Sequence, residues 1–234
     1  MSATLDSKLR EFSNSKNASA ILDIGGWFAP CRQATHMVDI MPFKTLNVAG
    51  AYGNGDLLIQ PENYFQLDLG AIDQLPFSDK QFDFVVCRHT LEDIKDPIHI
   101  AKEMMRVAKA GYIETPSRIY ESTKGVERNW WCGHYHHRWF VEVEGDKIIF
   151  QFKPHNLHSN PSFYWRRYPW QKVKEEHKNT SLLWEGSFKT EERIIIDYRD
   201  LKNNLTEFKK ARANQQIMRL KWANSDGVEN ESFI

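Results

Sequence analysis

Short apolar runs separated by turn residues fill the first half of the chain. Residues 18–24 form such a run and stop at Gly25-Gly26, which predicts a buried strand entering a tight turn. Met37 to Ile40, closed by Pro42, predicts a second strand; Phe65 to Leu67 a third; Phe82 to Cys87 a fourth. Between the second and third lies a loose stretch with Gly50, Gly53 and Gly55. Pro97 suits the first position of a helix, where its missing N–H costs nothing. Ile98, Ala101, Met104, Met105 and Ala108 then give that helix an apolar face. Gly111 to Glu114 predicts a fifth strand, stopped by Pro116. Strands alternating with helices or crossover loops imply an α/β fold with a mostly parallel twisted sheet. Ahead of all this, residues 4–16 space Leu5, Leu9 and Phe12 for a short amphipathic helix.

The pattern changes after Pro116. Residues 140–143 and 147–152 flank Glu144-Gly145-Asp146 and predict a β-hairpin. Ser181 to Trp184 and Arg193 to Ile196 read as a late strand pair, and Asp200 to Trp222 as a helix with Leu201, Leu205 and Phe208 on one face. The last dozen residues are polar and predict a frayed end. The expected organisation is a core over residues 1–118, an inserted cap over 119–180, and final strands and a helix over 181–234 that complete the core.

Composition narrows the classes. The chain has 234 residues and a formal net charge of +0. That balance offers no bulk attraction to nucleic acid or to an anionic membrane. No apolar run approaches the roughly 20 residues needed to span a bilayer. The polar N-terminus lacks the apolar centre of a signal peptide, so the expected location is the cytoplasm. Cys31, Cys87 and Cys132 are odd in number and widely spaced, which excludes a disulfide framework. Five of the eight tryptophans fall between Asn129 and Lys178, so the aromatic content is concentrated in the cap.

Candidate chemistry starts at Ile21-Leu22-Asp23-Ile24-Gly25-Gly26. A glycine turn after a strand lets backbone approach a nucleotide-like ligand, and Asp39 at the end of the next strand stands where a ribose diol is bound in doubly wound folds. Asp68 follows the third strand and could accept from an adenine amino group. Each signal alone also describes a plain turn or cap; their order along consecutive strands is what points to a ligand.

The segment Leu75-Pro76-Phe77-Ser78-Asp79, then Phe82-Asp83-Phe84-Val85-Val86-Cys87, continues through His89-Thr90-Leu91-Glu92-Asp93 and Glu103-x-x-Arg106-Val107-x-Lys109 to Gly111-Tyr112-Ile113-Glu114-x-Pro116. Over about residues 20–118 this resembles the type 11 subgroup of class I S-adenosylmethionine-dependent methyltransferases. The resemblance implies a Rossmann-like fold and S-adenosylmethionine as cofactor. By the same resemblance Asp23, Gly25 and Gly26 surround its methionine part, and Asp39, with Ile40 beside it, holds the ribose. Asp68 and Leu69 frame the adenine, and Arg88 and His89 lie beside the sulfonium. Trp27 and Ala29 replace the usual later glycines of the first loop, and Asp39 follows Asp23 by only sixteen residues. Gly25-Gly26-Trp27-Phe28-Ala29-Pro30 is similar to members with a shortened crossover.

A second signal is Trp130-Trp131-Cys132-Gly133-His134-Tyr135-His136-His137-Arg138-Trp139. Drawn out as extended chain, it projects Cys132, His134 and His136 on one face and His137 on the other. Three readings stand open: packed aromatic surface, acceptor pocket, or metal site completed by His155 and His158. The pocket reading is adopted, with no metal, and His89, His134, His136 and His137 are the candidate bases. Arg166-Arg167 among Trp165, Tyr168 and Trp170 fits an anionic or planar acceptor or a solvated basic edge equally well. The expected activity is in-line methyl transfer to an O or N atom of a small-molecule acceptor: a sugar, amino-sugar or natural product. A peptide or protein methyltransferase, and a non-catalytic binding module with Trp27 in the cofactor's space, are the alternatives.

Overall fold

The computed structural model describes residues 20–46, 57–165 and 173–212, and the backbone of 219–223 and 229–233. The expected helix at residues 4–16, the glycines at 50, 53 and 55, and Arg166, Arg167, Tyr168 and Trp170 lie outside the described residues. The chain divides into two compact units. The first comprises Met1–Thr115, Val143–Ile148 and Ser181–Glu191; the second comprises Pro116–Glu142, Ile149–Thr180 and Glu192–Ile234.

The first unit is built on β1 (Ile21–Ile24), β2 (His36–Asp39), β3 (Tyr64–Gln66), β4 (Phe82–Arg88), helix α1 (Pro97–Val107) and β5 (Ala108–Pro116). The strand order is β3-β2-β1-β4-β5-β8, with β1 to β5 all paired in parallel. The sequence therefore announced the α/β class and each of these strands. Every residue of β1 is buried, as a central strand covered on both faces requires. No helix stands between β1 and β2 among the described residues; a bent loop makes the crossover, as the sixteen-residue spacing allowed. Ile21, Met37, Tyr64, Phe84, Val86 and Tyr112 form one buried cluster over the sheet.

Helix α1 starts as expected, with Pro97 in its first turn and the Asp96 carboxylate accepting the His99 N–H at 2.9 Å. Its buried face is Ile100, Ala101, Met104 and Val107, whereas Ile98 and Met105 are only half-buried and Ala108 already belongs to β5. The apolar pattern left the helix rotation ambiguous, and packing on the sheet decided it. Glu103 and Arg106 clamp the loop before β4. The Glu103 carboxylate accepts from the Leu75 N–H at 2.7 Å, and Arg106 donates to the carbonyls of Leu75 and Phe77 at 3.0 and 2.7 Å.

Strand β8 (Asn179–Glu185) joins the far edge of this sheet. It runs antiparallel, because Gly186 N–H bonds the Lys109 carbonyl while Ser117 N–H bonds the Lys178 carbonyl. Gly111 lies within β5. A Cβ on Gly111 would sit 2.6 Å from the Val85 carbonyl oxygen and 2.8 Å from the Trp184 ring. The neighbour at 2.6 Å is backbone in the sheet and cannot yield cheaply. Gly111→Ala is therefore expected to cost about 1–3 kcal/mol of stability, read as a lower urea midpoint with an unchanged slope.

The second unit holds helix α2 (Arg118–Glu121), helix α3 (Glu175–Lys178) and helix α4 (Tyr198–Arg212), with the hairpin β10 (Arg219–Ala223) and β11 (Glu229–Phe233). The expected hairpin is present as β6 (Trp139–Glu144) and β7 (Lys147–Phe152), with Gly145 at φ 62. Its third neighbour is β9 (Lys189–Glu192), so the late strand precedes the expected Arg193–Ile196. The chain beyond Glu191 belongs with the second unit rather than completing the first. There Leu201 and Leu205 of α4 pack on Cys132, Phe140, Leu157, Phe163 and Tyr164, and Phe208 packs with Ile119, Trp165 and Val173. Helix α4 ends at Arg212, and residues 219–223 are a strand rather than its continuation; residues 229–233 pair with them in register. Buried Arg118 donates to Glu142 at 2.8 Å and stands 4.1 Å from the Phe208 ring centre. No helix among the described residues is long and apolar enough to cross a membrane.

Candidate active site

In the first unit the strand register brings the carboxyl ends into one row. Ile24 pairs with Val38 and with Cys87, Asp39 with Gln66, and Arg88 with Glu114. Gly25, Asp39, Arg88 and Glu114 thus share the edge where the strand order reverses, the position at which open α/β sheets bind ligands.

Three of the predicted residues, Asp23, Gly25 and Gly26, build the loop itself. Asp23 is buried, and its Oδ2 accepts the Cys31 N–H at 2.6 Å. Burial raises its carboxyl to about 6 against the lowering effect of Arg88 and of the Cys31 bond. A Cβ on Gly26 would lie 2.2 Å from that same Asp23 oxygen, and one on Gly25, at φ +72, would lie 2.0 Å from Thr90 Oγ1. The glycines are therefore required by internal packing, against Asp23 and Thr90.

Asp39 accepts the N–H of Trp27 at 3.0 Å through Oδ2 and that of Met41 at 2.9 Å through Oδ1. Burial raises its pKa, and these bonds oppose the rise. The Trp27 indole N–H donates to Thr45 Oγ1 at 2.9 Å, which anchors the ring on the turn after β2. Ile40 is 58% exposed. Asp68 is exposed and caps its own turn, accepting the Gly70 N–H at 2.8 Å, while Leu69 beside it is buried.

Arg88 is buried and donates to the Ala29 carbonyl, and its Nε has no partner. His89 has φ 50, an uncommon conformation for a residue with a Cβ, and its N–H bonds the Glu114 carbonyl at 2.8 Å. Its two ring nitrogens face Glu92 at 3.7 Å and Glu114 at 3.6 Å. Burial alone would lower its pKa, but the two carboxylates prevail and push it up to about 9. A histidine charged to that point donates protons' hydrogen bonds near neutrality and does not accept a proton. The raised value makes His89 a donor more readily than a base near neutrality. Glu92 and Glu114 were visible in the sequence only as letters of the resemblance. Glu92 is buried with neither carboxylate oxygen hydrogen-bonded, and Glu114 accepts from Tyr112 at 2.7 Å.

The second unit holds the histidines. Gly133, at φ +59, turns the chain, so the segment is not extended and the expected alternation of faces does not occur. His134 and His137 instead converge on one carboxylate, with each Nδ1 3.0 Å from Glu121 Oε1. Lys153 Nζ donates to the other oxygen at 2.5 Å and to the His134 carbonyl at 2.7 Å. Glu121 is fully buried, which by itself would raise its pKa; Lys153 and the two histidines hold it far below the usual carboxylate range. Their ligand atoms lie within 4.8 Å of one another, the span a metal ion could bridge. The Lys153 ammonium, however, already balances the carboxylate. Cys132 is buried among apolar side chains, with its thiol pushed up to about 12 by that burial. His136 is exposed, its ring centre 4.5 Å from that of His137. Glu121 and Lys153 carried no mark in the sequence.

Residues 34–113 match the profile of the family described as methyltransferase domain. That stretch, about a third of the chain, is similar to a methyltransferase domain. The match ends with β5, so the histidine cluster of the second unit lies outside it. Among solved structures, a SAM-dependent methyltransferase from Aquifex aeolicus is 18% identical, covering 48% of this chain and 63% of its own, with a TM-score of 0.32. An S-adenosylmethionine-dependent methyltransferase from Mesorhizobium loti is 19% identical over 65% of each chain, with a TM-score of 0.35. The chain thus spans less than two thirds of the length of either. None of the curated proteins matches the chain. The matched residues include Asp39 and Arg88 of the sheet edge described above, and that edge fits a nucleoside-like cofactor. Asp39 keeps lone pairs beyond its two backbone bonds, enough for a diol, and exposed Ile40 adjoins it.

Proposed function

We propose that the protein moves a methyl group from S-adenosylmethionine to an oxygen or nitrogen of a small-molecule acceptor such as a sugar, an amino-sugar or a natural product. The observation that carries this reading is the row of Gly25, Asp39, Arg88 and Glu114 at the strand-order reversal of a sheet to which the matched residues 34–113 contribute Asp39 and Arg88. When bound, the cofactor supplies a methyl group activated by a positively charged sulfur. Asp39 accepts from the ribose hydroxyls, and Ile40 offers an apolar surface beside it. Asp68 and Leu69 border the adenine. Asp23 acts by holding the loop of Gly25 and Gly26 closed on Cys31, so that backbone alone faces the methionine part. Arg88 and His89 end the same edge, and Glu92 and Glu114 surround His89 with negative charge that favours a sulfonium.

Proton removal falls to the histidines on Glu121. Donation of both Nδ1–H groups to the carboxylate fixes the tautomer in which Nε2 is the acceptor. An imidazole so held is able to take the proton of a hydroxyl or amine.

Calorimetry with S-adenosylmethionine tests the reading. Binding near micromolar, about −8 kcal/mol, is expected. Asp39→Ala should weaken it by about 1.5–3 kcal/mol, the worth of a hydrogen bond to a charged acceptor. Absence of heat and of thermal stabilisation in folded protein would reject the enzyme and leave a non-catalytic module. An unchanged affinity in Asp39→Ala would reject the ribose assignment.

A further inference from the structure

In the second unit one carboxylate is the meeting point of three side chains. Glu121 closes helix α2, and the turn at Gly133 carries the histidine segment back over it. A Cβ on Gly133 would lie 2.7 Å from the Glu121 Cα, so only glycine lets the two stretches approach so closely. His134 Nδ1 and His137 Nδ1 both reach Glu121 Oε1 at 3.0 Å, with ring centres 4.4 Å apart and planes 33° apart. The other oxygen, Oε2, is taken separately by Lys153 Nζ at 2.5 Å.

We propose that Glu121 Oε1, His134 Nδ1 and His137 Nδ1 form a three-ligand site for a divalent transition-metal ion of the zinc class. Geometry is the first support. Zinc bonds imidazole nitrogen and carboxylate oxygen at about 2.0–2.1 Å, so neighbouring ligands of a tetrahedral ion stand about 3.3 Å apart. The two observed separations of 3.0 Å fall close to that edge, and the three ligand atoms all lie within 4.8 Å of one another. Small side-chain shifts therefore admit the ion. Glu121, rather than the His155 and His158 expected from the sequence, completes the histidine pair.

Donor chemistry is the second support. Two imidazoles and one carboxylate, with a further position left open, is a ligand set that zinc takes. Magnesium and calcium need oxygen ligands, and Lys153 already neutralises the one carboxylate here. Binding thus runs through the imidazole nitrogens, which selects zinc, cobalt, nickel or copper. Lys153 holds Oε2 and leaves Oε1 to the imidazoles, the outer-shell role that orients a ligating carboxylate. Access is the third support. The His134 side chain is 27% exposed, and His137 and Lys153 line a cavity of about 170 Å³, wide enough for water to fill the open position.

Binding exchanges two hydrogen bonds for two coordinate bonds. Each neutral imidazole keeps one proton, moved from Nδ1 to Nε2, so neither ring retains a basic nitrogen. Filling the site therefore switches off the proton acceptor proposed above. That consequence rests on the methyl-transfer reading; the site itself does not.

The test titrates cobalt(II) into the full chain, stripped of metal with a chelator, and follows visible absorption. An intense four-coordinate band saturating at one ion per chain is expected. Zinc, with its filled d shell, should bleach it, and magnesium in excess should leave it. Cobalt should also raise the unfolding midpoint of the parent protein, as a ligand of the native state does. His134→Asn and His137→Asn, each shown to be folded by tryptophan fluorescence, should weaken cobalt binding by about 100-fold or more, since even outer-shell changes cost about 10–100-fold. His155→Asn should leave it unchanged. Absence of a saturable band and of a thermal shift in the parent would overturn the proposal. So would displacement by magnesium, full affinity in both histidine variants, or loss of binding in His155→Asn. Turnover that persists with the ion bound would instead reject the base assignment and leave the site standing.

Discussion

Replacing Glu121 by Gln will destabilise the second unit by about 3–5 kcal/mol, the usual result of removing one partner of a buried ion pair. The substitution keeps the volume but leaves Lys153, 7% exposed at its side chain, without a countercharge. It also sets an amide against three donors: Lys153 Nζ and the Nδ1 atoms of His134 and His137. Urea unfolding followed by tryptophan fluorescence measures the loss. Glu121→Gln combined with Lys153→Met should lose less than the sum of the two single changes, because the pair is then removed together. Additive losses would show that the carboxylate and ammonium act independently. The pH dependence has a definite sign. The folded-state pKa of Glu121 lies below the usual glutamate value of about 4.3. Its contribution is therefore complete above that value and lost as pH falls below it towards the depressed folded-state value. Stability of the Gln variant should consequently fall less steeply in acid than that of the parent.

Replacing the histidine proposed as proton acceptor is expected to cut turnover by about 10²–10⁴-fold, with S-adenosylmethionine affinity nearly unchanged. Asn is the informative substitute at positions 134 and 137, because its amide N–H can take over the bond to Glu121 while the basic nitrogen is lost. The readout is release of S-adenosylhomocysteine with an acceptor that the parent protein methylates, alongside calorimetry for the cofactor. Loss in one variant identifies the base, and His136→Asn serves as the comparison without a Glu121 bond. Full turnover in all three would return the histidine segment to a packing role. His89→Asn should lower turnover less, since Glu92 and Glu114 raise the His89 pKa to about 9 and so leave it a poor proton acceptor near neutrality.

The parts of this molecule that could be read from the chain are those fixed by local pattern. Strands β1 and β4 are mostly apolar, interrupted only by Asp23 and Asp83 before their ends at Gly25 and Arg88, because both faces of a central parallel strand are covered. The order Asp23, Asp39, Asp68 was legible for the same reason, since strand ends recur with the strands. What each carboxylate does was not. Asp23 and Asp68 hold backbone N–H groups of their own loops, and no spacing distinguishes a loop clamp from a ligand contact. Glu121 lay hidden because its partners are 13, 16 and 32 residues away and meet it only through the turn at Gly133. The end of α4 was missed because Lys, Arg, Ala and Gln continue beyond Arg212 as good helix formers. Pairing with residues 229–233 overrides that preference at 219–223.

The division of the chain into units has a consequence for how such a protein can change. The second unit is assembled from three separated stretches, 116–142, 149–180 and 192–234, and the intervening pieces belong to the first. Its interior is closed by Leu201 and Leu205 of α4, which arrive from the last stretch. A graft of residues 119–180 into a related scaffold would therefore carry Glu121, His134 and Lys153 without the helix that seals the layer behind them. The second unit therefore cannot be moved as a single exchangeable block, and a change confined to it has to be made by exchanging side chains in place.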